Sequence, residues 1–438
     1  MNQSYTFACG QGATKAMLHC IEAGTLDKEY CCIVNSTIKD IPEEYRKDSI
    51  VISEDPDAGC GKVRSAAKRL MLEYLKKNPN EVLARIPDDA QYVNIITTTE
   101  GASGSGASVI LAKYIKSQFD IPIIITLICG FESDTRGLQN TIDYFKDLKD
   151  GDFVIRTVSN KKFLDKTNNT FTAEKMANED ISLGFKVINA FDIVDSEQNI
   201  DATDHYKLIT NPGLMFVTEV PITRRIKNAN QFDQLISDAI DYGSSLDFEP
   251  SATKIGVFLN LSDDNLAAID TNFSAIKKKL CGNTAIEEFF IHRQSVLAET
   301  EFVRIIASGI NLPKDELMEM YGKYQKSITT NDKADDFFDQ IGDMDTTIAR
   351  QSTRHTSPVD TDFFDSMDTG TSDEDEVVIR RSKRRTPTGF SGTPASTTAT
   401  EQKPEGTGSY EKKPRGFTAK KTANKQQQPY SEDAMKGF

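Results

Sequence analysis

Two short runs of small residues carry the clearest chemistry in this chain. Gly101-Ala102-Ser103-Gly104-Ser105-Gly106 follows an apolar run that ends at Ile95-Ile96. It precedes residues 107–119, where Val109, Ile110, Ala112, Ile115 and Phe119 are apolar. The reading is strand, Gly/Ser loop, helix. Such a loop aims backbone N–H groups at one point at a helix N-terminus, where the helix dipole favours an anion. Small residues let a phosphate approach the backbone, and the hydroxyls of Ser103 and Ser105 add donors. A composition-matched linker is the plain alternative. The loop is not a Walker A motif, because Ala107-Ser108 stand where its Lys should follow the last glycine. Gly10-Gln11-Gly12-Ala13-Thr14 repeats the arrangement, after a strand-like run at 5–9 and before a helical stretch at 15–22. A dinucleotide turn of the GxGxxG kind lacks its third glycine here, since Lys15 occupies that place. A third run, Asp57-Ala58-Gly59-Cys60-Gly61-Lys62, precedes a helix at 63–76 and reads equally as a simple turn.

The elements that must hold these loops alternate. Strand and helix patterns follow one another from Tyr5 to about Val194, which predicts a parallel sheet with helices on both faces. Ligand loops of such folds lie at the carboxyl ends of the strands, where all three runs fall. Residues 121–129 are nearly continuous in apolar character, as in a buried parallel strand, and lead into Gly130-Phe131-Glu132-Ser133-Asp134-Thr135-Arg136. The four-residue step from Glu132 to Arg136 puts both on one face if the helix has begun, and a surface ion pair is the alternative. Residues 173–196 predict one long helix with an apolar stripe of Ile181, Phe185, Ile188, Phe191 and Val194. Asn199-Ile200-Asp201-Ala202-Thr203-Asp204 follows it. The i,i+3 step of Asp201 and Asp204 places two acceptors together, and either can cap a helix beginning near Tyr206. Beyond Lys207 the pattern becomes a smaller α+β arrangement. Strands are expected at 214–220, 255–261, 287–292 and 301–308, with helices at 230–242, near 266–280 and at 315–323.

Composition sets the frame. The 438 residues are 38% hydrophobic with a net charge of −14, which argues against a globular body that binds nucleic acid in general. No apolar run is long enough to predict a transmembrane helix, and Met1-Asn2-Gln3-Ser4-Tyr5 lacks the start of a secretory signal. Seven cysteines without paired spacing fit reduced thiols in a cytoplasm. His19, His205, His292 and His355 are scattered, so no metal site is expected. After Ser327 the apolar runs stop. An acidic stretch at 331–376 and a basic one at 377–438, led by Arg380-Arg381-Ser382-Lys383-Arg384-Arg385, predict a disordered charged tail. Phe337-Phe338 and Phe363-Phe364 interrupt it, either as short partner motifs or as incidental linker residues.

Taken together, the motifs from Tyr5 to Lys323 resemble those of the tubulin/FtsZ superfamily, in character closest to its phage and plasmid branch of TubZ and PhuZ types. The 101–106 run matches the family's Gly-Gly-Gly-Thr-Gly-Ser/Thr-Gly signature with Ala102 and Ser103 as departures. The 131–136 run matches its Phe-Glu-Gly-x-x-Arg element, and Ala177-Asn178-Glu179 its Ala-Asn-Asp. Asn199, Asp201 and Asp204 match its Asn-x-Asp-x-x-Asp, without the Pro-Gly-Leu that usually precedes it. Ser159-Asn160-Lys161-Lys162-Phe163-Leu164 matches its Asn-Asp-Lys-Leu-Leu, with Lys161 replacing the Asp. The resemblance implies a GTP-binding domain over 1–196 with a central helix at about 173–196. It implies an activation domain over 197–327 and leaves 328–438 as the tail. It implies that Gly10, Gln11, Gly12, Ala13, Thr14 and residues Gly101 to Gly106 hold the phosphates of GTP or GDP with Mg²⁺. Glu132 would bind the ribose and Arg136 would lie near the nucleotide. Asn178 and Glu179 would read the guanine base, whose N1–H and N2 amine adenine lacks. Asp201 and Asp204 would act on the GTP of the neighbouring subunit in a head-to-tail homopolymer in the cytoplasm, so that hydrolysis requires assembly. The tail would reach DNA, an adaptor protein or a membrane surface. A division filament, a non-polymerising nucleotide-binding protein and a dehydrogenase are the alternatives, and NAD binding would separate the last.

Overall fold

Runs of β-branched and apolar residues without alternation make strands buried on both faces. The computed structural model describes residues 4–55, 59–149, 151–189, 200–269, 272–296 and 301–327. The strands are β1 (Ser4–Cys9), β2 (Cys31–Asn35), β3 (Ile50–Val51), β4 (Tyr92–Thr98), β5 (Ile123–Cys129), β6 (Val154–Ser159), β7 (Gly213–Pro221), β8 (Lys254–Leu261), β9 (Glu288–Ser295) and β10 (Phe302–Ile310). They form one sheet in the order β3-β2-β1-β4-β5-β6-β7-β10-β8-β9. From β3 to β7 every pairing is parallel. β10 runs antiparallel to both β7 and β8, and β8 pairs parallel with β9. It follows that β7, β8 and β9 start at the same edge as β1 to β6.

The helices are α1 (Gln11–Glu22), α2 (Arg64–Lys77), α3 (Pro79–Leu83), α4 (Ala102–Gln118), α5 (Thr135–Leu148), α6 (Asn160–Thr167), α7 (Thr170–Asn189), α8 (Ala202–Ile209), α9 (Ala229–Asp241), α10 (Asp263–Leu266), α11 (Ser274–Cys281) and α12 (Lys314–Ser327). Strand side chains alternate between two cores. Phe7, Cys9, Ile95, Ile125 and Leu127 pack with Met71 of α2, Leu111 of α4 and Phe145 of α5. Ala8, Ile33, Ile96, Ile128 and Val158 pack on the other side with Ala13 and Met17 of α1 and Phe185 of α7. This is the α/β architecture expected, with helices on both faces of a mostly parallel sheet.

Several boundaries differ from expectation. Both glycine runs are helical: α1 starts at Gln11 rather than Lys15, and α4 at Ala102 rather than Ala107. The reason is local. First-turn N–H groups need no helical partner, and two hydroxyls bond back one turn. Thr14 Oγ1 donates to Gly10 O at 2.9 Å and Ser105 Oγ to Gly101 O at 2.5 Å. The central helix begins at Thr170, where Asn169 Oδ1 accepts the N–H of Thr172 at 2.9 Å. Its expected portion beyond Asn189 lies outside the described residues, as do Asp57-Ala58, Asn199 and the tail at 328–438. The helix expected near 266–280 is two pieces, α10 and α11, with Phe273 in the left-handed region at φ 51° before the second. The helix expected from Tyr206 starts at Ala202.

Candidate functional site

The carboxyl ends of the parallel strands lie level. Cys9 pairs with Val34 and Thr97, Thr98 with Ile128, and Cys129 with Ser159. The turn after each strand therefore opens on one edge. There the starts of α1 and α4 touch through backbone. A Cβ on Gly10 would stand 2.9 Å from Gly104 N, and one on Gly104 would stand 2.6 Å from Cys9 O. Gly10 also sits at φ 84°, a conformation that a side chain resists. Neither N-cap, Gly10 nor Gly101, caps with a side chain, and neither first turn carries an acid. The N–H groups of Gln11, Gly12, Ala13, Ala102, Ser103 and Gly104 precede the first intrahelical donors, Thr14 N to Gly10 O and Ser105 N to Gly101 O. Two helix N-termini thus converge without an anion of their own.

The end of β2 joins this edge. Ser36 Oγ and Ser103 Oγ share a hydrogen bond of 2.7 Å. Asn35 Oδ1 accepts the N–H of Ser36 at 2.8 Å, while its Nδ2 is buried with no partner among the described residues. An amide donor left unpaired in a residue 2% exposed costs free energy, of order 1–3 kcal/mol, until something accepts from it.

Not every expected residue faces the opening. The hydroxyls of Thr14 and Ser105 are engaged by Gly10 O and Gly101 O, so Ser105 does not offer the free donor that its sequence position suggests. Gly106 is a packing residue. Its Cβ would stand 2.6 Å from both Ala67 Cβ and Arg64 O, so its absence lets α2 lie against α4. The buried Arg64 braces this contact: Nη2 donates to Ser105 O at 3.2 Å, Nη1 pairs with Asp147, and the guanidinium lies over the Tyr144 ring. Lys68 pairs with Asp147 at 2.7 Å. Burial pushes the Asp147 carboxyl up, but Arg64 and Lys68 outweigh it and hold it below the usual carboxylate range.

Glu132 and Arg136 do not share a helix face. The helix starts at Thr135 with Asp134 as its cap, and Glu132 stands before it at φ 57°. Glu132 N donates to Glu100 Oε1 at 2.7 Å, and its Oε2 accepts from Lys323 of α12 at 2.6 Å, with Lys161 of α6 at 3.9 Å. Arg136 is exposed and bonds Gln139 at 3.1 Å. Glu100, Arg64 and Lys323 escaped the sequence reading. Only Glu100 had a signal, as an acid immediately before the glycine run. Burial pushes its carboxyl above the usual range, opposed by the N–H groups of Glu132 and Phe131.

Asn178 and Glu179 lie in the third turn of α7, not at a helix start. Asn178 is half-buried, and Glu179 is exposed and pairs with Lys175 at 3.7 Å. α7 packs on α1, where Lys15 and Glu174 approach to 3.7 Å.

Asp201 and Asp204 are elsewhere. Asp201 is the N-cap of α8, its Oδ1 accepting from Asp204 N at 2.8 Å. Asp204 pairs with Lys207 at 3.6 Å, and Lys207 with Glu288 at 3.6 Å. Glu288 also holds Lys254 at 2.8 Å, and these two are the first residues of β9 and β8. The acids are therefore tied to the amino edge of the sheet, opposite the edge that carries the glycine turns and several strands across from β1 and β4. His205, between them and the core, is 1% exposed, and burial pushes its imidazole down to about 4. Among the described residues no three His, Cys, Asp or Glu side chains are grouped to hold a metal ion. No described helix is long and apolar enough to cross a membrane.

A mostly parallel sheet with glycine turns after β1 and β4 at one edge and helices on both faces defines a doubly wound α/β class, and solved structures specify the fold. The chain is similar to TubZ of Clostridium botulinum phage c-st at 16% identity and TM-score 0.59, covering 75% of this chain and 99% of that one. It is similar to CetZ2 from Haloferax volcanii, solved as a GTPγS-bound protofilament, at 16% identity and TM-score 0.58, covering 75% and 100%. GDP-form protofilaments of TubZ from Bacillus thuringiensis serovar israelensis match at 14% identity and TM-score 0.58, covering 75% and 91%. No protein-family model matches the chain, and no curated protein matches it in sequence. The chain has the tubulin/FtsZ fold.

Proposed function

We propose that this protein is a GTPase that polymerises head to tail into dynamic cytoskeletal filaments. GTP sits at the carboxyl edge of one subunit and is hydrolysed with Asp201 and Asp204 of the next. The observation that carries this reading is the opposition of two sets of groups. Free N–H donors of α1 and α4 lie at one edge of the sheet, and the acid pair is anchored at the other through Lys207, Glu288 and Lys254. Opposite edges of the sheet, with several strands between, keep the acids from their own subunit's phosphates. Stacking subunits edge to edge brings them together.

The mechanism follows from what each group can do. The N–H groups and the Asn35 amide take the phosphates, with Glu132 on the ribose, Arg136 nearby, and Asn178 and Glu179 on the base. Asp201 spends one oxygen on its helix cap and keeps the other for a water. Asp204, beside it, adds a second acceptor that orients that water towards the γ-phosphate. Mg²⁺ would offset phosphate charge there, held mainly by phosphate oxygens and water. Residues 1–196 are then the GTP-binding domain, 197–327 the activation domain, and 328–438 a tail for DNA, an adaptor or an anionic membrane surface in the cytoplasm. Likeness to chains solved as protofilaments supports the filament; its proposed job is to position or segregate phage or plasmid DNA.

Competition against a fluorescent GTP analogue tests the pocket. GTP and GDP displace it at concentrations where ATP and NAD do not. Displacement by NAD, or by ATP as readily as GTP, overturns the assignment.

A further inference from the structure

Glu132 is held in an unusual way for a surface-loop carboxylate. Its backbone is in the left-handed region at φ 57°, a conformation that costs a non-glycine residue energy. Two contacts fix it there: its N–H on Glu100 at 2.7 Å and its Oε2 on Lys323 Nζ at 2.6 Å. Its side chain is only 10% exposed, and its Oε1 accepts from no described group. Lys323 is itself anchored. It pairs with Glu319 one turn back at 2.9 Å, and α12 buries Leu317, Met320 and Tyr321 against the body of the protein. Glu316 of the same helix accepts the N–H of Asp247. Lys161, at 3.9 Å, is the other cation near Glu132.

We propose that Lys323 is a positioning residue for Glu132: its ammonium takes Oε2 and turns Oε1 towards the nucleotide as the acceptor for a ribose hydroxyl. This rests on the guanine-nucleotide reading above and extends it, because it makes the last described helix part of the nucleotide site. A carboxylate accepts on both oxygens. Without the ammonium the Glu132 side chain loses its short contact, and only the longer approach of Lys161 remains. A hydrogen bond from a ribose hydroxyl to a fixed carboxylate is worth about tenfold or more in affinity.

The test compares dissociation constants for GTP, 2′-deoxy-GTP and 3′-deoxy-GTP. The proteins are wild type, Lys323→Met, Lys323→Arg, Glu132→Ala and the Lys323→Met/Glu132→Ala double variant. The wild type should prefer GTP over at least one deoxy analogue by about tenfold. Lys323→Met should reduce that ratio to under about twofold, Lys323→Arg should retain most of it, and Lys323→Met should change nothing further once Glu132 is Ala. A merely structural role would weaken all three ligands alike and leave the ratio intact, which overturns the proposal. So does a Lys323→Met protein that discriminates like wild type. If the wild type binds GTP and both deoxy analogues equally, the proposal falls while the nucleotide site stands. If it binds no guanine nucleotide, the site reading falls with it.

Discussion

Asp201 is both a helix cap and a proposed acceptor for the attacking water, and two substitutions separate these roles. Asp201→Ala removes both. Losing an N-cap costs about 1 kcal/mol, which in a protein of this size lowers Tm by about 2 °C. Asp201→Asn keeps an oxygen that can accept from Asp204 N, now 2.8 Å from Asp201 Oδ1, and Asn caps about as well as Asp. Its Tm should stay within about 1 °C of wild type. Turnover should behave differently. Removing a positioned proton acceptor typically costs 100-fold or more, so both variants should lose turnover to that extent. The 1 kcal/mol of the cap does not explain such a loss, because a domain stable by about 5–15 kcal/mol stays folded after it. The assay is phosphate release at a concentration where sedimentation shows assembly, with thermal melts of each variant. Full turnover in Asp201→Asn, with a lowered Tm in Asp201→Ala, would mean that Asp201 is only a cap.

Gly104→Val drives a side chain into Cys9 O, 2.6 Å from the Cβ position, with Thr97 Oγ1 at 3.1 Å, so the α4 start must shift. A loss of about 1–3 kcal/mol in denaturant unfolding is expected, together with weaker nucleotide binding; unchanged affinity would place the phosphates elsewhere. His205 is neutral in the fold down to about pH 4, whereas in the unfolded chain it takes up a proton below about 6.5. Its contribution is therefore complete above pH 6.5 and is lost as pH falls to 4, by about 3 kcal/mol in all. The stability difference between wild type and His205→Leu should shift by that amount across this range, and parallel curves would refute the cause.

How much of this was legible in the sequence depended on the range of the interactions. β4 and β5 could be read because their apolar runs record burial on both faces. The two glycine turns were legible as turns at the carboxyl ends of strands, but their helix starts were not. Gly and Ser disfavour helix interiors, and only back-bonding by Thr14 and Ser105 shows that the turn has already begun. That Asp201 or Asp204 caps a helix was readable, but not which of them, nor the helix start at Ala202. The company of Glu132 was not: Lys323 is 191 positions away, and no local pattern joins them. Nor could spacing alone insert β10 between β7 and β8, a pairing that only the folded sheet sets.

The central claim is a site shared between subunits. It is tested most directly by GTP turnover per subunit measured against protein concentration, with right-angle light scattering from the same cuvette. The account predicts negligible turnover below a threshold concentration, and turnover and scattering rising together above it. Turnover per subunit that is constant at every concentration, without scattering, would contradict it.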